Sequence, residues 1–214
     1  MVNPFRFIPV GLGLATAVCG ATAKELKLDG LFPPDRLLEV NITVAESDWD
    51  TIRHQRRTRE NALPPSRKYE PPPPPYSYVE ASVTIDGVTF PRVGLRKKGF
   101  LGSQDTVRPS LKVKLDYTDK KGNIDGLRNL TFNNNRQDVS LMSQFMGYAI
   151  WDAAGAPGSR CAFAKVTVNG RDLGVYCHVE TVREPLLRRE IGSDKGTLFE
   201  GTVGDFYPEW EGSF

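Results

Sequence analysis

The chain has 214 residues, of which 39% are hydrophobic and 25% charged, enough apolar material for a packed core and too much for wholesale disorder. Its 28 basic and 26 acidic residues leave a formal net charge of +2, without the basic excess that generic nucleic-acid binding needs. No nucleic-acid partner is expected.

The N-terminus reads as an export signal over residues 1–23. Arg6 supplies a short positive region, Phe7 to Gly20 are mostly apolar and small, and Ala21-Thr22-Ala23 offers a small-residue cleavage site. The apolar run is too short for a stable membrane span. Pro9, Gly11 and Gly13 argue against a buried helix. The residues before Cys19 do not form a lipoprotein signal. The expected location is outside the cytoplasm: extracellular, cell envelope or periplasm.

In the mature segment, residues 24–214, Leu37 to Val44 alternates as a first strand. Ala45 to Arg59 reads as a short helix with Trp49 and Ile52 on one face and Ser47 or Asp48 as N-cap. Its arginines are read as a solvated face. Residues 63–78 include the run Pro71 to Pro75, which imposes an extended connection without internal hydrogen bonds. Val79 to Ile85, the turn Asp86-Gly87 and Val88 to Leu95 predict a hairpin. Leu111 to Leu115 and Leu127 to Phe132 predict two more strands. A helix is predicted to start at an Asp138 N-cap and run to Ala154. Met142, Phe145, Met146, Ala149, Ile150 and Ala153 form its apolar stripe, read as core packing. Phe163 to Val168 and Leu173 to Val179 flank the turn Asn169-Gly170. A short amphipathic helix over Glu184 to Glu190 and a last strand at Leu198-Phe199 follow.

A two-residue turn at Asn169-Gly170 would put Cys161 and Cys177 on opposite faces of that hairpin, which disfavours a disulfide, whereas a three-residue loop would put them on one face but diagonally; two free, buried cysteines are expected. Neither has zinc-ligand spacing, so no metal site is expected from Cys and His. His178 is read as structural, because no Ser, Cys or Asp pattern makes it a general base.

Four segments carry candidate chemistry. Gly94 to Ser103 is both glycine-rich and basic, suited to backbone and cationic contacts with an anion. If Leu95 points inward, Arg96 and Lys98 share the other face of the strand. Lys112, midway along Ser110 to Leu115, is a sheet-held positive charge suited to nucleotide phosphates, and Lys114 shares its face. Glu180 closes the second hairpin strand, where an acid would orient the lysines or contact a base or ribose. The polar run Asn133 to Asp138 offers amides near phosphate. For each, an exposed basic turn, a solvated strand face and a surface glutamate are the bland alternatives.

Taken in order, VGLRKKG, SLKVKL, the Asn133 to Ser140 stretch opening a helix, NGRDLGVYCHVE and GTLFEG resemble the spore-coat-protein-H (CotH) family of secreted, atypical protein kinases, over about residues 37 to 203. The resemblance implies an α+β, divergent protein-kinase-like fold: an N-lobe-like antiparallel sheet with one main helix. It implies ATP and Mg²⁺ (or Mn²⁺) as cofactors, and γ-phosphoryl transfer to hydroxyl side chains of a secreted or coat protein acceptor. On this reading Arg96, Lys98, Lys112 and Glu180 bind the nucleotide, while the catalytic residues are unknown. The predicted helix has no central glutamate to pair with Lys112, only Asp152 near its end. The family's metal-binding and catalytic aspartates lie beyond the GTLFEG-like segment, where only Asp205 remains. The chain is therefore expected to be the N-terminal portion of such a domain, incomplete as a catalyst. The alternative expectation is a non-catalytic envelope or coat protein that uses the same fold for interaction.

Overall fold

A computed structural model describes residues 25–68 and 72–199. The expected export signal with Cys19, residues 69–71 at the start of the proline run, and Asp205 lie outside the described residues.

Alternation makes the strands. In β1 (Leu38–Val44), Leu38, Val40, Ile42 and Val44 are buried and the residues between them exposed, so one face is apolar and the other wet. The same period of two runs through β2 (Val79–Ile85), β4 (Ser110–Lys114), β5 (Asn129–Asn133) and β6 (Cys161–Val168). β3 (Val88–Lys98) and β7 (Arg171–Val179) complete the set. The turns obey the residues that demand them. Asp86-Gly87 and Asn169-Gly170 both have positive φ at each central position, the mirror-image turn that matches strand twist.

Together these strands close into a barrel in the order β1-β2-β3-β4-β5-β7-β6. Neighbours are antiparallel except at the seam, where β1 runs parallel to β6, with Leu38 beside Ala164 and Ile42 beside Val168. Asn169 fastens this seam: its side-chain carbonyl accepts from Val44 N at 2.9 Å, and its amide donates to Val44 O at 2.8 Å. The interior is filled by Val83, Ile85, Leu95, Val113, Leu130, Phe132, Val166 and Tyr176, among others. Each such side chain contributes roughly 1.5–3 kcal/mol by leaving water.

This corrects the expected fold class. The architecture is a closed seven-strand barrel with few helices, and not an α+β, kinase-like N-lobe sheet with one main helix. The deciding contact is the parallel β1–β6 pairing. It joins distant segments, and local periodicity carries no sign of it.

Helices sit outside the barrel. α1 (Glu46–His54) buries Trp49 and Ile52. Its N-cap is Ala45, with no side-chain cap bond, in place of the expected Ser47 or Asp48, and it ends at His54 short of the expected Arg59. Lys97, buried, donates to Arg53 O at 2.8 Å near the helix C-terminus, where the dipole favours a cation. α2 (Arg59–Ala62) is one turn, closed by a reciprocal Thr58–Asn61 cap. The proline-rich connection then docks through Tyr76, whose hydroxyl donates to Gly99 O at 2.8 Å.

α3 (Ser143–Ala153) differs from expectation twice. It begins five residues after Asp138, whose carboxylate instead accepts from Ser140 N, Ser140 Oγ and Ser143 N. Asp138 thus caps the helix from a preceding turn. The stripe read as core is largely exposed: Met142, Met146, Ala149, Ile150 and Ala153 are open, as is the neighbouring Trp151, while Phe145 stacks on Phe163 at 5.0 Å. α4 (Glu184–Ile191) starts with Pro185 in its first turn and ends at Gly192, whose φ of 76° terminates the helix. Leu198 and Phe199 are exposed and form no strand.

Candidate functional site

Strand parity places Leu95, Lys97, Leu111, Val113, Leu130 and Phe132 on the inward side of β3, β4 and β5. It therefore sends Arg96, Lys98, Lys112 and Lys114 outward. The register sets Arg96 directly beside Lys112, and Lys112 beside Thr131; Lys98 lies beside Ser110, one step along. Three of the four nucleotide-binding candidates are thus gathered on one outer wall.

Each cation is held differently. Lys98 Nζ donates to Asn133 Oδ1 at 2.8 Å, and Asn133 Nδ2 donates in turn to Gln144 Oε1 at 2.9 Å, tying β3, β5 and α3 together. Burial first, then the charges of Lys112 and Arg96, push the Lys98 ammonium down to about 8. Arg96 places its guanidinium over the Tyr78 ring at 5.2 Å, while its buried Nε lacks a hydrogen-bond partner. Gly94 is required beside it: a Cβ there would lie 2.8 Å from the Tyr117 ring, which packs against Tyr78.

The loop after β5 completes the wall. Asn134 is buried; its backbone N–H donates to Ser110 Oγ at 3.0 Å, and its side-chain amide to Arg108 O at 2.7 Å and Ser103 O at 3.2 Å. A polar cavity of about 490 Å³ opens here, lined by Lys98, Ser103, Asn133, Asn135, Ser143 and Gln144 among others. Hydrogen-bond donors and one half-buried ammonium facing such a space suit an anion. Gln144, like Ser143 beside it, is a member that the sequence did not single out. Only its position on the first turn of α3, one turn past the polar loop, could have pointed to it.

Glu180 is elsewhere. Its side chain has no solvent exposure and accepts from Arg160 Nε at 3.1 Å, from the other Arg160 guanidinium nitrogen at 3.1 Å, and from Arg189. Burial opposes its ionisation, but the Arg160 hydrogen bonds and the two guanidinium charges outweigh that and hold the carboxyl below its ordinary range. Arg160 also bonds Asp29 and lies over the Phe32 ring. Glu180 anchors the N-terminal segment and α4 to the barrel, and its polar contacts are with arginines rather than the lysine wall.

His178 is fully buried between Phe32 and Phe132, each ring 4.9 Å away. Burial pushes it down to about 4, so it is neutral at pH 7 and serves packing. For a divalent metal, no group of three or more His, Cys, Asp and Glu side chains converges among the described residues. Asp138, at the cavity rim, is already committed to Ser140 and Ser143. The described residues thus form no metal cage. Among them, too, no helix is long and apolar enough to cross a membrane.

Comparison with known proteins converges on one family. The sequence profile described as CotH kinase protein matches residues 95–213, a span that begins inside β3 and includes the lysine wall. The inner spore coat protein H-like protein of Bacillus subtilis (strain 168) is 26% identical over 102 residues, which cover 44% of this chain and 33% of that protein. The alignment thus spans about a third of the curated relative's length. With more than half of its residues matched by the family profile, this chain belongs to the CotH family.

Proposed function

We propose that this chain supplies the phosphate-binding wall of a CotH-type phosphotransferase. The full activity would transfer the γ-phosphoryl group of ATP to hydroxyl side chains of a secreted or coat protein. The observation that supports it is the outward column of Arg96 and Lys112 with Lys98 beside it, next to a polar cavity, inside the region matched to CotH kinase proteins. The positive charges of Arg96 and Lys112, which with burial lower the proton affinity of Lys98, are relieved by a polyanionic ligand. Arg96, Lys98 and Lys112 would neutralise the triphosphate, while the Asn133 and Gln144 amides orient Lys98. Glu180 would act indirectly, by fixing the end of β7. The phosphoryl-transfer step also requires a divalent metal for charge neutralisation, and the described residues assign it no ligands. By kinship with a spore coat protein, an exported, coat-associated location is part of this proposal.

A second reading, a non-catalytic coat interaction protein, is favoured by the exposed apolar face of α3. One titration separates the two. The full chain is melted in the presence of ATP, AMP or inorganic polyphosphate, each with and without Mg²⁺. A saturable rise in Tm with ATP, absent in Arg96→Gln and Lys112→Ala proteins that retain the unliganded Tm, supports nucleotide binding. No shift, or an equal shift with polyphosphate, sinks it.

A further inference from the structure

The expected separation of Cys161 and Cys177 onto opposite faces does not occur. Val168 faces Arg171 and Thr167 faces Asp172, but Val166 then faces Gly174, so Leu173 is an extra residue in β7. This bulge shifts the register by one, and a shift of one turns every later side chain to the other face. Cys161 now lies beside Val179, and Cys177 beside Phe163. Both thiols are on the outer face of adjacent strands, as diagonal neighbours.

Their surroundings are unequal. Cys177 is buried; Asn135 Nδ2 donates to its sulfur at 2.9 Å, and its S–H donates to Leu141 O at 3.7 Å. Cys161 is partly open and lines a cavity of about 290 Å³ with Phe145, Tyr148, Asp152 and Arg160. The neighbouring Cys161 thiol and the Asn135 donor make Cys177 the easier of the two to ionise, while Cys161, beside it and partly buried, is the harder. Asn135 itself has φ of 50° and also donates to Leu141 O at 3.2 Å, so it ties its loop to β7.

We infer that Cys161 and Cys177 are a redox-active dithiol, oxidised by a small-molecule disulfide to an intramolecular disulfide, and that closing this bond releases the Asn135–Leu141 loop from β7. The chemistry balances. The incoming disulfide RSSR reaches Cys161 through its cavity. Cys161 passes its proton to the ionised Cys177 sulfur and attacks one sulfur of RSSR, forming Cys161–S–S–R and expelling RS⁻, which takes up that proton. The Cys177 sulfur then attacks Cys161 Sγ and expels the second RS⁻. Two electrons pass from the protein to RSSR; one S–S bond is exchanged for another, and RSH and RS⁻ leave.

Diagonal neighbours sit about 7–8 Å apart at Cα, slightly beyond the usual disulfide span of roughly 4.4–6.8 Å. Closure must therefore draw the strands together, which makes the bond readily reducible. It also removes the Cys177 sulfur as acceptor for Asn135. The loop that loses this tie borders the polar cavity, but the inference stands whether or not that cavity binds nucleotide.

The test uses the full chain with Cys19→Ser, which leaves two thiols. It is treated with 2-hydroxyethyl disulfide, weighed intact, and followed by hydrogen exchange over residues 133–143. The expected result is a mass about 2 Da below the reduced form, reversed by dithiothreitol, with loss of both alkylatable thiols. Exchange in the loop should rise roughly tenfold. A Cys161→Ser version should show neither change. Two thiols still alkylated, a stable adduct on Cys161, or a closed disulfide with unchanged loop exchange would each overturn the inference. The mass measurement alone decides the first half even if the serine variant does not fold.

Discussion

Along β4, β5 and β7, alternate residues serve two different regions. Inward, Leu111, Val113, Leu130, Phe132, Tyr176 and His178 are buried in a closed, nearly all-apolar core. Outward, Lys112, Thr131, Asn133 and Cys177 face a layer made of polar loops and a half-open helix. The inner side is held by packing, which tolerates no loss of volume. The outer side holds cations and thiols whose charge depends on their neighbours. The same backbone thus separates stability from chemistry by a single step of the pleat.

Four experiments sharpen this contrast. The largest effect belongs to the inner side: Phe132→Ala should destabilise by about 3–5 kcal/mol in urea unfolding, through the cavity it leaves. A loss below about 1 kcal/mol would mean that the barrel interior collapses easily.

Acid should act next, through His178. Its folded pKa of about 4 lies below the unfolded value, so the unfolded chain binds more protons between the two. The stabilisation is complete above about pH 6.5 and is lost as pH falls toward 4, on the order of 3 kcal/mol in all. His178→Phe should flatten that part of the curve of Tm against pH, beneath which the carboxylates still titrate.

The outer side should show itself in binding. The Lys98 charge is lost as pH rises through about 8. Any anion that relies on it should bind about tenfold more weakly at pH 9 than at pH 7. Lys98→Arg should remove this dependence; an identical slope in the variant would show that Lys98 does not face the ligand. The smallest effect is expected at Ile150, which is 65% exposed. Ile150→Ser should change stability by no more than about 0.5 kcal/mol. A larger loss would show that α3 has a covering partner in solution.

The sequence was legible where information is local. Val79 to Ile85 and Leu111 to Leu115 alternate, and Asp86-Gly87 and Asn169-Gly170 name their own turns. The shared outward face of Arg96 and Lys98 follows from Leu95 pointing in, and cross-strand register adds Lys112. What escaped was set by contacts between distant residues or by one irregular residue. Leu38 gives no sign that it pairs with Ala164, so an open sheet was expected where a barrel closes. Leu173 looks like any other strand residue, yet its bulge reverses the facing of Cys177. Glu180 was placed with the lysines because its partners, Arg160 and Arg189, lie on other elements. The stripe of α3 has the period of a buried helix; periodicity identifies the apolar face but not what covers it.

The parallel seam also sets a timetable. Asn169 closes onto Val44 across 125 positions of sequence. Closing a loop that long carries a large entropic penalty before any contact rewards it, which slows folding. As the polypeptide emerges from its N-terminus, β1 and β2 can form their hairpin-like ladder early, but the free edge of β1 has no mate until β6 and its turn are made. For that interval the chain presents an unpaired, alternating strand edge, a template for association with other copies. A fragment starting at residue 95, where the family match begins, would lack β1 altogether and leave the matching edge of β6 permanently open.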